Sequence, residues 1–324
     1  MAPFIPLCWI AFSFVRQPVC RKGHRSAPRC FSSSSRLLLT VKNVITSPKS
    51  NTLQKVQKLL QQRKKRLEYN QVVVEGPRSV LDLLKTHSQV VRQVIVDVDQ
   101  LHYHAALSQY ETELEICYAT AAALQSCSDT NQGIFAVCDI PQPDSVVPSS
   151  ELQRVTLILD ALQDPGNVGT LIRSAAATGV VEHIYFLPGT CDPWNPKALR
   201  AAMATTFGVS MRFVDSWDGC LQELRQQQSH DHFPIYAAAM TNESECYHEI
   251  ISKWAEEPDT HKMALILGSE GNGLSPEIQQ ALKTREIQGI HIPMQPVVES
   301  LNAAVCGSIL LYEVLRCLES SKQR

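Results

Sequence analysis

VTLILDALQDPGNVGTLIRSAAATGVVEHIYFL, Val155 to Leu187, is the stretch that decides the fold. Val155 to Leu159 and His183 to Leu187 are largely apolar, strand-like runs, and the segment between them has the length and spacing of a helix. Asp164-Pro165-Gly166 breaks the chain, and Asn167, a favoured N-cap, marks the expected helix start. Counted from Asn167, the helix gathers Val168, Leu171, Ile172 and Ala175 on one face, which reads as core. The other face carries Gly169, Thr170, Arg173, Ala176 and Ala177, one arginine among small side chains, with room for something large to approach. Further apolar runs follow at Ile235 to Ala239, Met263 to Leu267 and Ile287 to Ile292. Strands that are apolar throughout, rather than alternating, belong to a parallel sheet covered on both faces. The fold class is α/β.

Upstream, residues 43–140 alternate in the same way on a smaller scale. A basic helix is expected near Thr52 to Tyr69, strands at Gln71 to Glu75, Val90 to Asp97 and Ile134 to Cys138, and a helix at Ser79 to Thr86. Gly76-Pro77 parts the first strand from its helix, and SDTNQG (Ser128 to Gly133) is a polar turn before the last strand. A small α/β domain is the reading. Pro141, Pro143 and Pro148 with Ser145, Ser149 and Ser150 make 141–150 an interdomain linker, which leaves 151–324 for the larger domain. No internal repeat is found.

The net charge of -2 conceals an asymmetry: 14 of the 30 Lys and Arg precede Glu68, the first acidic residue, leaving 16 basic against 32 acidic residues from there on. Attraction to nucleic acid therefore belongs to the front of the chain or to local patches. Lys55, Lys58, Arg63, Lys64, Lys65 and Arg66 form the candidate RNA-phosphate cluster, a helix face turned to water being the alternative. The first 31 residues hold Arg16, Arg21, Lys22, Arg25 and Arg29 and no acid, and Ser32 to Ser35 follow. That is the composition of an organellar transit peptide over 1–31, mitochondrial in the first instance and plastid in the second. No uninterrupted apolar run is long enough to span a bilayer, so no membrane association is expected. Eleven cysteines without a CxxC pair argue against both a bound metal and a disulfide framework, and buried reduced thiols such as Cys306 are expected.

Two more segments carry chemistry. In LILGSEGNGLS (Leu265 to Ser275) the glycines at 268, 271 and 273 let a ligand lie against main-chain amides, Glu270 is the only charged group, and Ser275-Pro276 starts a helix. In IPMQPVVESLNAAV (Ile292 to Val305) a strand leads into an apolar helix; Ser300 is a plausible N-cap, Glu299 favours the helix dipole, and Asn302 needs a partner. Neither G-x-G-x-x-G nor a P-loop pattern is present, which sets aside nicotinamide and phosphate-loop readings.

DPGNVGTLIRSAAATG (Asp164 to Gly179) and these two segments, in this order and spacing, resemble the three signature motifs of the SpoU (TrmH-type) 2′-O-ribose RNA methyltransferases. VVVEGPRSV and SDTNQGIFAV look like that family's N-terminal substrate-binding domain, and DPWNPKALRAAMATTF (Asp192 to Phe207) resembles its ribosomal-RNA branch. The resemblance implies a trefoil knot in the C-terminal domain, S-adenosyl-L-methionine as cofactor, ribosomal RNA as substrate and a homodimer. It implies a catalytic set of Asn167, Arg173, Glu270, Ser300 and Asn302. It places the cofactor on Leu267, Gly268, Ser269, Glu270, Gly271 and Gly273 and on Ile292, Pro293, Met294, Ser300, Leu301 and Asn302, although Pro296-Val297 stands where many members carry glycine. Lys197 and Arg200, three apart on one helix, are RNA-phosphate candidates or a solvated face. A transfer-RNA methyltransferase and a catalytically silent ribosome-assembly factor are the alternatives; the intact motif residues weigh against the second.

Overall fold

The computed structural model describes residues 43–110, 112–146, 150–226, 233–257 and 262–322. The transit peptide expected over 1–31 and part of the linker, 147–149, lie outside these residues.

The first domain runs α1 (Asn51–Gln61), α2 (Arg63–Tyr69), β1 (Gln71–Glu75), α3 (Pro77–His87), β2 (Val91–Asp97), α4 (Leu101–Leu107), β3 (Glu115–Ala119), α5 (Ala121–Gln125) and β4 (Ile134–Asp139). Its sheet has the order β1-β4-β2-β3, with β4 antiparallel to both neighbours and β3 parallel to β2. The single basic helix expected from Thr52 to Tyr69 is two helices, because Gln62 is extended (φ -122°, ψ 110°). The cause is tertiary: Arg66 is buried and its Nη1 donates to the Leu59 carbonyl at 2.9 Å, folding α2 back against the end of α1. Strand β3 was not expected; it is short, lies at the sheet edge and leaves Glu115 exposed, so it lacks the apolar run of its neighbours.

The second domain runs β5 (Val155–Leu159), α6 (Pro165–Thr178), β6 (Val181–Phe186), α7 (Pro196–Ala202), β7 (Ser210–Phe213), α8 (Trp217–Gln226), β8 (Ile235–Ala238), β9 (Glu245–Cys246), α9 (Tyr247–Ala255), β10 (Met263–Leu267), α10 (Pro276–Lys283), β11 (Gln288–His291) and α11 (Ala303–Ser321). All its strand pairs are parallel, in the order β7-β6-β5-β10-β8-β11-β9. Successive residues serve opposite faces. Leu157 and Leu159 of β5 join Leu171 and Ile172 of α6 and Leu310 and Leu311 of α11, whereas Ile158 joins Leu221 of α8 and Ile278 of α10. Strands β7 and β9 escaped the sequence reading because they sit at the two sheet edges, β9 with only two residues.

Helix α6 starts earlier than expected. Asp164 is its cap, accepting from the Gly166 N–H at 3.0 Å, Pro165 holds the first helical position, and Asn167 lies inside the first turn. The two domains share one apolar core, in which Val72, Val74 and Ala136 of the first sheet belong to the same cluster as Leu157 and Phe207 of the second domain. The linker is strapped to β7: Ser210 Oγ donates to the Pro143 carbonyl at 3.1 Å, and Arg212 pairs with Asp144 at 2.5 Å. Among the described residues no helix is long and apolar enough to cross a membrane. Nor does any group of three or more His, Cys, Asp or Glu there suit a metal ion.

Candidate active site

Strands β5, β10 and β11 run parallel, so the loops that leave their C-terminal ends open on one edge of the sheet, where the order of strands reverses and ligands of open α/β sheets bind. The three motifs are those loops. A chain of side-chain hydrogen bonds joins them. Asn302 caps α11, its Oδ1 accepting from the N–H groups of Ala304 (3.0 Å) and Val305 (3.2 Å). Its Nδ2 donates to Asn167 Oδ1 at 3.0 Å, and Asn167 Nδ2 donates to Glu270 Oε1. The direction is forced, because a carboxylate only accepts: Asn167 must present its NH₂ group to Glu270, which leaves its oxygen for Asn302. Every donor in the chain points towards Glu270, so the positive end of the α11 dipole is relayed across both amides to that carboxylate.

Two capping assignments change accordingly. Asn302, not Ser300, caps α11, and Asn167 is freed from capping by Asp164, so its amide serves the relay. Ser300 is exposed in the loop. Arg173 lies six residues beyond Asn167 on α6, ~9 Å along the helix axis. It is exposed, and no hydrogen bond or ion pair engages its guanidinium among the described residues.

The glycine loop closes on itself: Ser269 N–H donates to the Gly273 carbonyl at 2.9 Å and Gly273 N–H to the Ser269 carbonyl at 2.8 Å. Gly273 has φ +69°, and a Cβ on Gly268 would fall 2.7 Å from the Gly273 oxygen. Gly268 is thus required by the closeness of the turn and Gly273 by its backbone angle, while the space beside both Gly271 and Gly273 is open. Gly169 has a different role from the one its sequence suggested: a Cβ there would overlap the Ala198 carbonyl oxygen and come within 2.8 Å of Ala201, so the space beside it is taken by α7, not by a ligand.

Beside the relay, a cleft of about 190 Å³ opens past the ends of β8 and β11. Of the expected cofactor residues, Ile292, Met294, Ser300 and Leu301 line it. Leu267 is interior, its carbonyl accepting the Asp160 N–H at 2.9 Å. Gly268, Ser269, Glu270, Gly271, Gly273, Pro293 and Asn302 are not in its wall but in the adjoining loops. Sequence reasoning missed Ala238, Ala239 and Met240 as wall residues, and with them Ile290, His291, Glu299 and Leu310; the first three stand at and just past the end of the parallel strand β8, the signal that could have found them. It also missed Asp160, whose Oδ2 accepts the Ser275 N–H at 2.7 Å and so anchors the far end of the glycine loop; burial pushes this carboxyl above its ordinary value. Cys306 lines the cleft as well, and burial pushes its thiol up to about 11, so it stays protonated at neutral pH. The described cysteines are all free thiols.

The RNA-phosphate candidates separate. Lys58, Arg63 and Lys64 are exposed, and Lys55 and Lys65 lie about 5.6 and 5.7 Å from the Tyr69 ring centre, with Lys65 also paired to Glu68 at 2.7 Å. Arg66 is turned inward, paired to Asp192 at 2.7 Å and without a face for phosphate. Lys197 pairs with Asp164 at 2.8 Å and Arg200 with Glu75 at 3.4 Å, so each has a protein partner, while their side chains stay 59% and 39% exposed.

Residues 154–312 match the SpoU rRNA Methylase family, and residues 51–136 the MRM3-like substrate binding domain. The chain is 30% identical over 261 residues to the 23S rRNA (guanosine(2553)-2′-O)-methyltransferase RlmP of Bacillus subtilis, covering 79% of this chain and 93% of that one. It is 28% identical over 321 residues to the mitochondrial rRNA methyltransferase 3 of Homo sapiens, covering 84% of this chain and 73% of that one. A TrmH-family protein of Porphyromonas gingivalis superposes with a TM-score of 0.63 at 30% identity, over 82% of this chain and 98% of the other. With three motif loops meeting at one sheet edge and this identity along almost all of the bacterial relative, the chain belongs to the SpoU rRNA methylase family.

Proposed function

We propose that this protein is an S-adenosylmethionine-dependent methyltransferase acting on the ribose 2′-oxygen of ribosomal RNA, within mitochondria. The observation that carries the reading is an exposed, unpaired Arg173 on the same helix as an Asn167 already engaged to Glu270 and Asn302. The cleft suits the cofactor chemically: its walls are mostly aliphatic, as an adenine ring prefers, and no lysine or arginine lines it to repel a sulfonium. Ile292, Met294 and Leu301 would hold the apolar part, with the main chain around Ser300 at its edge.

When bound, S-adenosylmethionine supplies a methyl carbon activated by the neighbouring sulfonium. The protein must align a ribose oxygen with it and remove that oxygen's proton. A guanidinium stays protonated, so Arg173 is no base; it holds a phosphate or the developing negative charge on the ribose oxygen. Glu270, with one oxygen occupied by Asn167 and the other without a hydrogen bond among the described residues, is the proposed proton acceptor, with Ser300 or a water as the alternative.

Lys55, Lys58, Arg63, Lys64 and Lys65 remain the proposed phosphate cluster; neutralising residues 63–65 is expected to lower the slope of log affinity against log salt by up to about one unit per lost contact. The mitochondrial assignment rests on the leader's composition and on the likeness to the human protein. Sequencing the mature N-terminus tests it. Knotted threading and a homodimer belong to the same proposal, the dimer supported by Val305 and Tyr312, half-exposed and seven residues apart on α11. Light scattering at micromolar concentration tests the dimer.

The deciding experiment maps 2′-O-methyl groups in mitochondrial RNA with and without the protein, backed by methylation of that RNA in vitro. Loss of one ribosomal site on depletion is expected. Loss at a transfer-RNA site instead would move the substrate assignment, and RNA binding without transfer would favour the silent assembly factor.

A further inference from the structure

Three segments left without a role by the reaction meet across the boundary between the two domains: the end of β1 with Glu75, the Ser128–Gly133 turn, and the stretch from Asp192 to Arg200. From the first domain, Arg66 reaches Asp192 with Nη2 at 2.7 Å and Nε at 3.2 Å. From the second, Arg200 reaches back to Glu75 at 3.4 Å and to Thr130 Oγ1 at 3.5 Å. The two pairs are opposite in sense, one cation coming from each side. The Glu75 side chain is only 2% exposed, and its oxygens also accept from Ser128 Oγ at 2.9 and 3.1 Å and from Thr130 Oγ1 at 3.0 Å. Arg66 and Asp192 are similarly enclosed, with side chains 5% and 12% exposed. Arg66–Asp192 is enclosed on both sides, whereas Arg200 keeps its side chain 39% exposed over the buried Glu75; buried charges carry a desolvation cost that apolar side chains of the same volume avoid, so what they contribute best is a defined geometry.

That geometry leads to the catalytic helix. Asp192 and Arg200 belong to the connection into α7 and to α7 itself. The same helix is seated against Gly169 of α6, and its Lys197 holds Asp164, the cap of α6. One short helix therefore touches the first domain on one side and the helix of Arg173 on the other. We propose that Glu75, Arg66, Asp192 and Arg200 are positioning residues, a crossed pair of ion-pair latches that fixes where RNA held by the first domain meets Arg173. The proposal rests on the methyltransferase reading, since in-line transfer falls steeply when the acceptor is misplaced by as little as ~1 Å.

Glu75→Gln and Arg200→Ala in the full chain test it, assayed beside the wild type at a temperature where all are folded. Glu75→Gln removes a negative charge and so should bind RNA as well as the wild type or better, with cofactor affinity unchanged, yet lose roughly tenfold or more in kcat on its RNA. Arg200→Ala should lose kcat in the same way while its RNA-binding salt slope stays unchanged. Three results would overturn the latch: kcat and KM within twofold of wild type although the melting temperature falls; a salt slope lowered by about one unit in Arg200→Ala beside a normal Glu75→Gln, which would make Arg200 a phosphate contact; or, for spin labels placed one on each domain, a distance distribution equally narrow in wild type and both variants. The last reading needs no turnover. A wild-type protein without methyl transfer would sink the functional proposal and leave the latch to be judged by those distances.

Discussion

Arg173 is the residue on which the proposed chemistry turns, and its setting makes the prediction sharp. It is exposed and carries no ion pair among the described residues, so Arg173→Ala should leave the melting temperature nearly unchanged and cofactor affinity intact. Turnover should fall by roughly 100-fold or more, the scale of losing one preorganised charge-stabilising donor; single-turnover methylation with matched thermal melts checks both halves. Arg173→Lys should recover little, because an ammonium lacks the planar fork. Asn302→Ala is expected to act twice: on stability by about 1 kcal/mol through the lost cap, and on turnover through Asn167, whose oxygen loses its donor. A variant that melts earlier but turns over normally would reduce Asn302 to a cap. That Asn167, Glu270 and Asn302 belong to motifs that meet was legible in the sequence, whereas how they bond to one another was only partly so. In DPGN both Asp164 and Asn167 can cap, and Pro165, suited to the first helical position, already favoured Asp164. Between Ser300 and Asn302 nothing local decides; the choice depends on Asn167, 135 positions away.

At the scale of elements, the tightest junction is α6 on α7. Gly169→Ala would drive a methyl into the Ala198 carbonyl, with rigid backbone on the receiving side. A destabilisation of about 1–3 kcal/mol is expected, the usual cost of overpacking, seen as a lower denaturation midpoint at unchanged m-value. Activity should fall by more than stability alone explains, since α6 carries Arg173. The central strands β5, β8 and β10 were readable because burial on both faces writes an unbroken apolar run. Edge strands β3, β7 and β9 were not, because half-exposed or very short pairings leave no such run. The break between α1 and α2 was invisible for another reason. The sequence there stays helical in pattern, and it is Arg66, folded inward to Leu59 and Asp192, that turns the chain.

For the whole molecule, the two domains share an apolar core, and two histidines sit in the cavity between them. His183, bonded through Nδ1 to Ser210 Oγ at 2.8 Å, and His87, whose ring lies against Gly208, line that space. Burial holds both below the ordinary histidine value; for His183 Glu182 and Asp144 oppose the shift while Arg212 and Lys262 add to it. The folded protein thus keeps them neutral where the unfolded chain takes up protons. Their contribution to stability is complete above about pH 6.5, the unfolded value, and is lost as pH falls through it towards the lower folded values. Melting temperature should therefore fall between about pH 7 and pH 5, and His183→Gln should flatten that dependence. An identical pH profile in the variant would remove His183 from the account. A basic front joined to an acidic body could be read from composition, and the succession of two α/β units from their apolar runs. The shared core could not, because apolar periodicity names the buried face of an element and not the partner that covers it.

The closed glycine loop is also expected to set how this protein ages. Asn272 precedes Gly273, and asparagine followed by glycine is the pair most prone to deamidate, since no side chain hinders the next backbone nitrogen from attacking the amide. Here that nitrogen donates to the Ser269 carbonyl at 2.8 Å, and the ring of bonds that shapes the loop also restrains the attack. Opening the loop would release the restraint and, in time, add a carboxylate two residues from Glu270. On prolonged storage, mass spectrometry should find Asn272 intact longer in the folded protein than in an unfolded peptide of the same sequence, and catalytic half-life should follow the closure of this one turn.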